Sequence, residues 1–182
     1  AADGKTFKTT RVFANAFVVG AKKGPVIDAK SRVVVRLQGI DAPELHYRAG
    51  ALSRKRTSVT DAQRKAYNTE NRHERRQFWA ESATVALFAR LGTLGGGSLR
   101  CEVYSYVEHP YEVVDTYGRI VGNIRVGRKF EIDINTWLAE QGWAFPAFYS
   151  SMSADEIAGL LDAAARGRQK GRIWSTLSAD TS

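Results

Sequence analysis

With 182 residues, 43% of them apolar and 10% aromatic, the chain has the material for one packed domain; two would be cramped, and a disordered tail is excluded. A formal net charge of +8 and a pI near 9.8 favour a polyanionic partner, DNA or RNA foremost, because Lys and Arg that neutralise phosphates release condensed counterions. Cys101 is the only cysteine, which excludes an intramolecular disulfide and a cysteine-based zinc cluster.

The three histidines, His46, His73 and His109, are too scattered for a histidine-rich metal motif. No apolar run is long enough to span a membrane and no signal peptide is visible, so no membrane partner is expected and the compartment stays open.

In chain order, Val12, Phe13, Phe17, Val18 and Val19 form a first β-rich run. Residues 20–25, with two glycines and two lysines, read as a turn. Val26-Ile27 and residues 33–37 give two further short strands, so a meander of antiparallel strands leads into the loop Asp41-Ala42-Pro43-Glu44. Ser58 or Thr60 would cap a helix starting near Asp61, whose apolar spacing through Phe78, Ala83, Leu87 and Leu91 predicts one element stopping at Gly92. A strand pair follows at 99–106 and 118–126, joined by a loop through Pro110. Ile134, Trp137 and Leu138 make a short helix ending at Gly142. Ser153 with Glu156 three residues on forms a capping box for the last helix, whose stripe is Ile157, Leu160, Leu161 and Ala164. Strands, helix, strands, helix, helix predict a small closed barrel with helices packed at one end.

Charge is unevenly spread. From His46 to Arg76 there are nine Lys or Arg against three acids, a local +6 of the total +8. Such a run is either a solvated face or an electrostatic guide for nucleic acid beside the acid loop, with Arg54, Lys55 and Arg56 at its centre and Tyr47 and Tyr67 available to stack bases.

Residues 36–44, Arg-Leu-Gln-Gly-Ile-Asp-Ala-Pro-Glu, put a cation at a strand end and two acids in the loop after it. Alternation points Arg36 and Gln38 to one face and Leu37 to the other. Pro43 fixes its own φ and biases Ala42 away from helix, so the acids are held in place. A second cation, Arg119, follows Asp115-Thr-Tyr117-Gly118, and Gly118 permits close backbone approach before it. As chemistry this is a kit for phosphodiesters. Asp41 can ligate a hard cation, Glu44 can take a proton from water, and two guanidiniums can clamp a phosphate. Taken singly, each arginine is more simply an ordinary salt-bridge former; the joint pattern makes the difference.

That pattern resembles the staphylococcal nuclease family. Arg36 through Asp41-Ala-Pro-Glu44 matches the motif carrying the first phosphate-binding arginine, a calcium-binding aspartate and the general-base glutamate, and Asp115-Thr-Tyr-Gly-Arg119 matches the one carrying the second arginine. Glu81-Ser-Ala, Asn135 to Gly142, and Gly171-Arg-Ile-Trp-Ser agree with the family's three helices, so the resemblance covers about residues 10 to 175. It implies an α+β, mainly β fold, a five-stranded OB-type barrel with about three helices, as a single domain over 1–182 with a basic insertion at about 46–76. It further implies a calcium-dependent nuclease with Arg36, Glu44 and Arg119 catalytic, Asp41 and the Ala42 carbonyl on the metal, and Tyr117 and Tyr149 against the substrate. Trp79, Trp143 and Trp174 are expected to be core residues.

One departure stands out. The family's first strand carries Asp-Gly-Asp-Thr, and the matching residues here are Ala14-Asn15-Ala16-Phe17, so Ala16 stands where a metal-ligating aspartate is expected. Three readings follow: a weakly held ion, a domain that binds without cutting, or alanines introduced to trap substrate.

Overall fold

The computed structural model describes residues 25–176 apart from 27, 31, 48, 49, 56, 57, 72–76, 96–98, 106–109 and 151. Its elements in chain order are β1 (Val35–Leu37), β2 (Ile40–Asp41), α1 (Asp61–Glu70), α2 (Ala80–Gly95) and β3 (Cys101–Tyr104). A 3₁₀ turn (Pro110–Val113) leads to β4 (Ile120–Val126) and β5 (Ile132–Asp133). Then come α3 (Ile134–Glu140), β6 (Phe145–Pro146), α4 (Ala154–Arg168) and a closing 3₁₀ turn (Arg172–Thr176).

β4 is the centre of the sheet. β1 lies parallel to it with Arg36 opposite Val121, and β3 lies antiparallel on its other side with Val103 opposite Ile124. β5 folds back onto the end of β4, and β2 pairs separately with β6. The antiparallel pairing of the two longer predicted strands is therefore found. A closed five-stranded barrel is not formed among the described residues, and helices hold more of them than strands do, so the mainly β expectation is not met there. The run from Val12 to Val19, expected to supply the first strand, and Ile27 lie outside the described residues. Four helices, rather than about three, are present among them.

The additional helix comes from a split. The single helix expected from Asp61 to Gly92 is two, because Trp79 has a positive φ of 72° just before α2 and Asn71 closes α1. Trp79 sits edge-on between Phe78 and Trp143, 5.2 and 5.9 Å between ring centroids, and these packing contacts accompany the backbone kink. Thr60, rather than Ser58, caps α1, with a full capping box through Gln63. α2 continues past Gly92 to Gly95.

The apolar core joins Ile40, Ala83, Val126, Ile134, Leu138, Trp143, Leu160 and Ala163. Trp143 is buried as expected, while Trp79 and Trp174 are half-buried. α3 and α4 approach closely enough that a Cβ on Gly167 would lie 2.0 Å from the Ala139 carbonyl oxygen. The buried amide of Asn135 ties the layers together. Its Nδ2 donates to the Gln38 carbonyl at 2.7 Å and the Asn123 Oδ1 at 2.8 Å, with the Gly122 carbonyl at 3.3 Å, and its Oδ1 accepts from the Ile124 N–H at 3.4 Å.

Gly167→Ala separates two effects of opposite sign. Helix propensity alone favours alanine by about 1 kcal/mol. The backbone clash with Ala139 outweighs it, so we expect a net loss of about 1–3 kcal/mol in urea unfolding, as for overpacked cores. Unchanged or raised stability would show that the two helices part without penalty.

Candidate functional site

The exposed face of the β1–β4 pair carries the sequence-predicted cations. From position 32 to 37 exposure alternates, with Arg32, Val34 and Arg36 exposed and Val33, Val35 and Leu37 half-buried. Across from them Tyr117, Arg119 and Val121 alternate with the buried Gly118, Ile120 and Gly122. Arg36 is opposite Val121, and the Ile120 N–H donates to the Val34 carbonyl at 2.9 Å. Arg36 and Arg119 thus stand on adjacent strands and one face, two positions out of register. No hydrogen bond or ion pair among the described residues engages the Arg36 guanidinium.

Gln38 does not share that face. It is only 4% exposed, because the strand ends at Leu37 and the chain bends at Gly39, where φ is +77°. The bend redirects the chain into β2, so Asp41 is exposed at the end of a short strand opposite Phe145 rather than in a loop. Glu44 follows three residues later with its side chain exposed. Its N–H donates to Gln77 Oε1 at 2.7 Å, and its carbonyl accepts from the Gln77 N–H at 3.0 Å. Gln77, which sequence reasoning missed, pins the acid loop to the start of α2. The only signal for it is an isolated amide ahead of an aromatic pair.

Arg119 is built into a hairpin by Asp115. The Asp115 N–H donates to the Arg119 carbonyl, and Oδ1 of Asp115 accepts from the Tyr117 and Arg119 N–H groups, each at 2.9 Å. Oδ2 accepts from Arg119 Nε at 2.7 Å. Burial pushes the Asp115 carboxyl up, but the Arg119 amide, the Arg119 guanidinium and the Tyr117 amide together bring it below its ordinary value. Gly118, at φ +79°, lets Val26 approach so closely that a Cβ would meet its Cγ2 at 2.5 Å. Tyr117 is 77% exposed, its ring 5.2 Å from the Arg119 guanidinium.

Tyr149 and Phe148 are exposed just beyond β6, whose pairing with β2 is extended by the bond from the Ala147 N–H to the Gly39 carbonyl at 2.9 Å. They therefore follow the strand that lies against Asp41. Arg54 and Lys55 are exposed in a turn, while Arg56, Arg48, Arg72, Arg75 and Arg76 lie outside the described residues, as do Ala14 and Ala16. Arg64 is half-buried and acts as a staple: its Nε donates to the Ser53 carbonyl at 3.2 Å, another nitrogen donates to the Val59 carbonyl at 3.1 Å, and it pairs with Asp61. Tyr47 is half-buried, whereas Tyr67 is exposed on α1, and His46 is exposed as expected.

The model of the family described as staphylococcal nuclease homologue matches residues 34–176. The chain belongs to the staphylococcal nuclease family. At family level this makes it a nuclease-type, nucleic-acid-related domain of OB-like α+β fold. No curated protein matches it in a search of known proteins. No helix among the described residues is long and apolar enough to cross a membrane.

Calcium, typical of the family, takes roughly six to eight oxygens. Among the described residues no group of three His, Cys, Asp or Glu side chains is placed to hold an ion. The Asp41 carboxylate and Ala42 carbonyl alone do not fit such a cation.

The Asp115 clamp gives a signed pH effect. A carboxyl held below its ordinary value of 3.8 contributes stability above that pH and loses it as pH falls through the folded-state value. Asp115→Asn is expected to cost about 1.5–3 kcal/mol at neutral pH, the scale of hydrogen bonds to a charged group. In acid titrations of stability the gap to wild type should stay flat above pH 5 and narrow below pH 4. A gap that widens on acidification would contradict the assignment.

Proposed function

We propose that the chain binds DNA or RNA across the β1–β4 face and, with a complete metal site, hydrolyses a phosphodiester bond by in-line attack of water. The observation carrying this reading is the shared exposed face of Arg36 and Arg119, with Asp41 and Glu44 following β1 within eight residues. Arg36 and Arg119 hold the non-bridging phosphate oxygens and take up the charge that develops on them as phosphorus becomes pentacoordinate. The Asp115 carboxylate fixes Arg119 through Nε, so the outer nitrogens of the guanidinium are aimed before substrate arrives. Glu44 orients the attacking water and accepts its proton. Tyr117 and Tyr149 flank the substrate. Asp41 and the Ala42 carbonyl are the groups that would contribute to holding a divalent cation, which, if bound, would supply charge neutralisation at the scissile phosphate.

A second reading is a module of the same fold that binds nucleic acid without cutting it. It is favoured by Ala14 and Ala16, which stand at the positions expected to be acidic. The two readings part in a digestion assay on plasmid and RNA with added calcium. The double substitution Ala14→Asp, Ala16→Asp should cut under the first reading, and Arg119→Ala in that background should slow it by about 10²–10³, the scale of removing one preorganised donor at a developing charge. Cleavage by neither chain supports the binding module. Cutting that survives Arg119→Ala undiminished sinks the mechanism.

Arg54, Lys55 and Arg56 form the proposed guide. Neutralising all three should weaken binding and flatten the log–log salt dependence by up to about 2 units, at about 0.7 per phosphate contact on a single strand. An unaltered slope in fluorescence titrations would reduce them to a solvated turn.

A further inference from the structure

The clamp around Arg119 occurs twice. Asp28 stands four residues before Arg32, as Asp115 stands four before Arg119. The Asp28 N–H donates to the Arg32 carbonyl at 3.0 Å. Oδ1 of Asp28 accepts from the Lys30 N–H at 2.8 Å and the Arg32 N–H at 2.9 Å, and Oδ2 accepts from Arg32 Nε at 2.7 Å. These bonds match those of the Asp115 hairpin in the backbone closure, the two amides on one carboxylate oxygen and the Nε on the other, and Arg32 adds a contact from Nη2 to Oδ2 at 2.6 Å. The segments touch, since the Val26 N–H donates to the Gly118 carbonyl at 2.9 Å.

We infer that Arg32 is a further phosphate-binding residue, holding the backbone of a bound nucleic acid several nucleotides from the phosphate between Arg36 and Arg119. Three observations carry this. The exposure alternation places Arg32 on the face of Arg36 and Val34, and four residues of extended chain separate the two arginines by about 13 Å. Arg32 is the more exposed of the clamped pair, its side chain 68% accessible against 37% for Arg119, so a polyanion can reach it. Between the arginines lies Val34, 60% exposed, an apolar spacer suited to the sugar or base of the intervening nucleotides rather than to water. Asp28 does not cancel the cation: with Lys30 the hairpin keeps a net positive charge, and the carboxylate takes one edge of the guanidinium while leaving other N–H groups outward, the role Asp115 has for Arg119.

Arg32 lies on the side of Arg36 away from Asp41 and Glu44 in the chain, so its contact adds affinity in proportion to substrate length and not to the chemistry. The inference rests on the phosphodiester reading of the Arg36–Arg119 face, and the test keeps the two apart. Fluorescein-labelled oligothymidylates of two and eight nucleotides are titrated with wild type, Arg32→Gln, Arg32→Lys and Arg119→Ala, each checked for an unchanged melting temperature. Arg32→Gln should weaken the octamer about three- to tenfold more than the dimer and lower the octamer's salt slope by about 0.7. Arg32→Lys should restore the slope, which a purely structural hairpin role would not do. Equal weakening of dimer and octamer, or a slope that lysine fails to restore, overturns the assignment. So does octamer binding that Arg119→Ala weakens and Arg32→Gln leaves intact, and this outcome spares the phosphodiester reading. An octamer that wild type does not bind overturns both.

Discussion

The parallel alignment of β1 with β4 is the constraint on which the rest of the site depends, and a buried amide holds it. Asn135 is 2% exposed and presents two N–H groups to three acceptors, so its two short bonds, to the Gln38 carbonyl and Asn123 Oδ1, take the main share. Gln38 is the first residue after β1, and Asn123 lies within β4. One side chain on α3 therefore fixes where β1 ends relative to its partner strand. A slip of one residue along β1 would turn Arg36 inward and Leu37 outward. Removing this amide would take a short bond from the Gln38 carbonyl and another from Asn123 Oδ1, and a buried polar group left unpaired costs roughly 1–3 kcal/mol.

Given that register, the arginines still need aim, and the chain obtains it with carboxylates placed four residues earlier. A free arginine side chain loses rotamer freedom worth up to about 2 kcal/mol when a ligand immobilises it. Asp115 takes that loss in the folded protein instead, so on the proposed reading a phosphate would meet a guanidinium already positioned. Asp115 is 10% exposed, and three N–H groups converge on its two oxygens, which keeps it ionised and the clamp closed over the ordinary pH range. Arg36 has no such carboxylate clamp among the described residues, so the clamped geometry is a feature of Arg119 there.

Legibility in the sequence followed the range of the interactions. The capping boxes at Thr60 and Ser153 and the turn at Gly142 are written within a few residues of themselves, and they stand where local reasoning puts them. Arg36, Asp41 and Glu44 were readable as one group because they leave a strand together, and Gly118 before Arg119 betrayed a tight approach. The failures are non-local. Gln38 is buried where the strand stops and the chain bends at Gly39, beside a carbonyl that bonds Asn135, 97 residues away. The helix from Asp61 splits where Gln77 pairs with Glu44 across 33 residues and Trp79 packs on Trp143. Two-residue strands such as β2 and β6 have no signature of their own, since only the partner makes them strands. The doubled Asp-x-x-x-Arg spacing was visible from the start, but its meaning required seeing both carboxylates bonded alike.

On the proposed nuclease reading, the alanines at 14 and 16 would affect binding and cutting in opposite directions. By the family pattern each alanine stands where a negative charge is expected, and Ala16 also stands where a metal ligand is expected. On the nuclease reading proposed above, the missing ligand would weaken the hold on a divalent cation, and hydrolysis would then lean more heavily on Arg36 and Arg119. The lost charges also remove repulsion towards an incoming polyanion in a chain that already carries +8. A clamp of this composition should hold nucleic acid at least as well without the ion as the acidic version does with it. Retained grip and diminished chemistry would, on that reading, be two consequences of one change, and neither would require the sheet, the hairpins or the Asn135 amide to have altered.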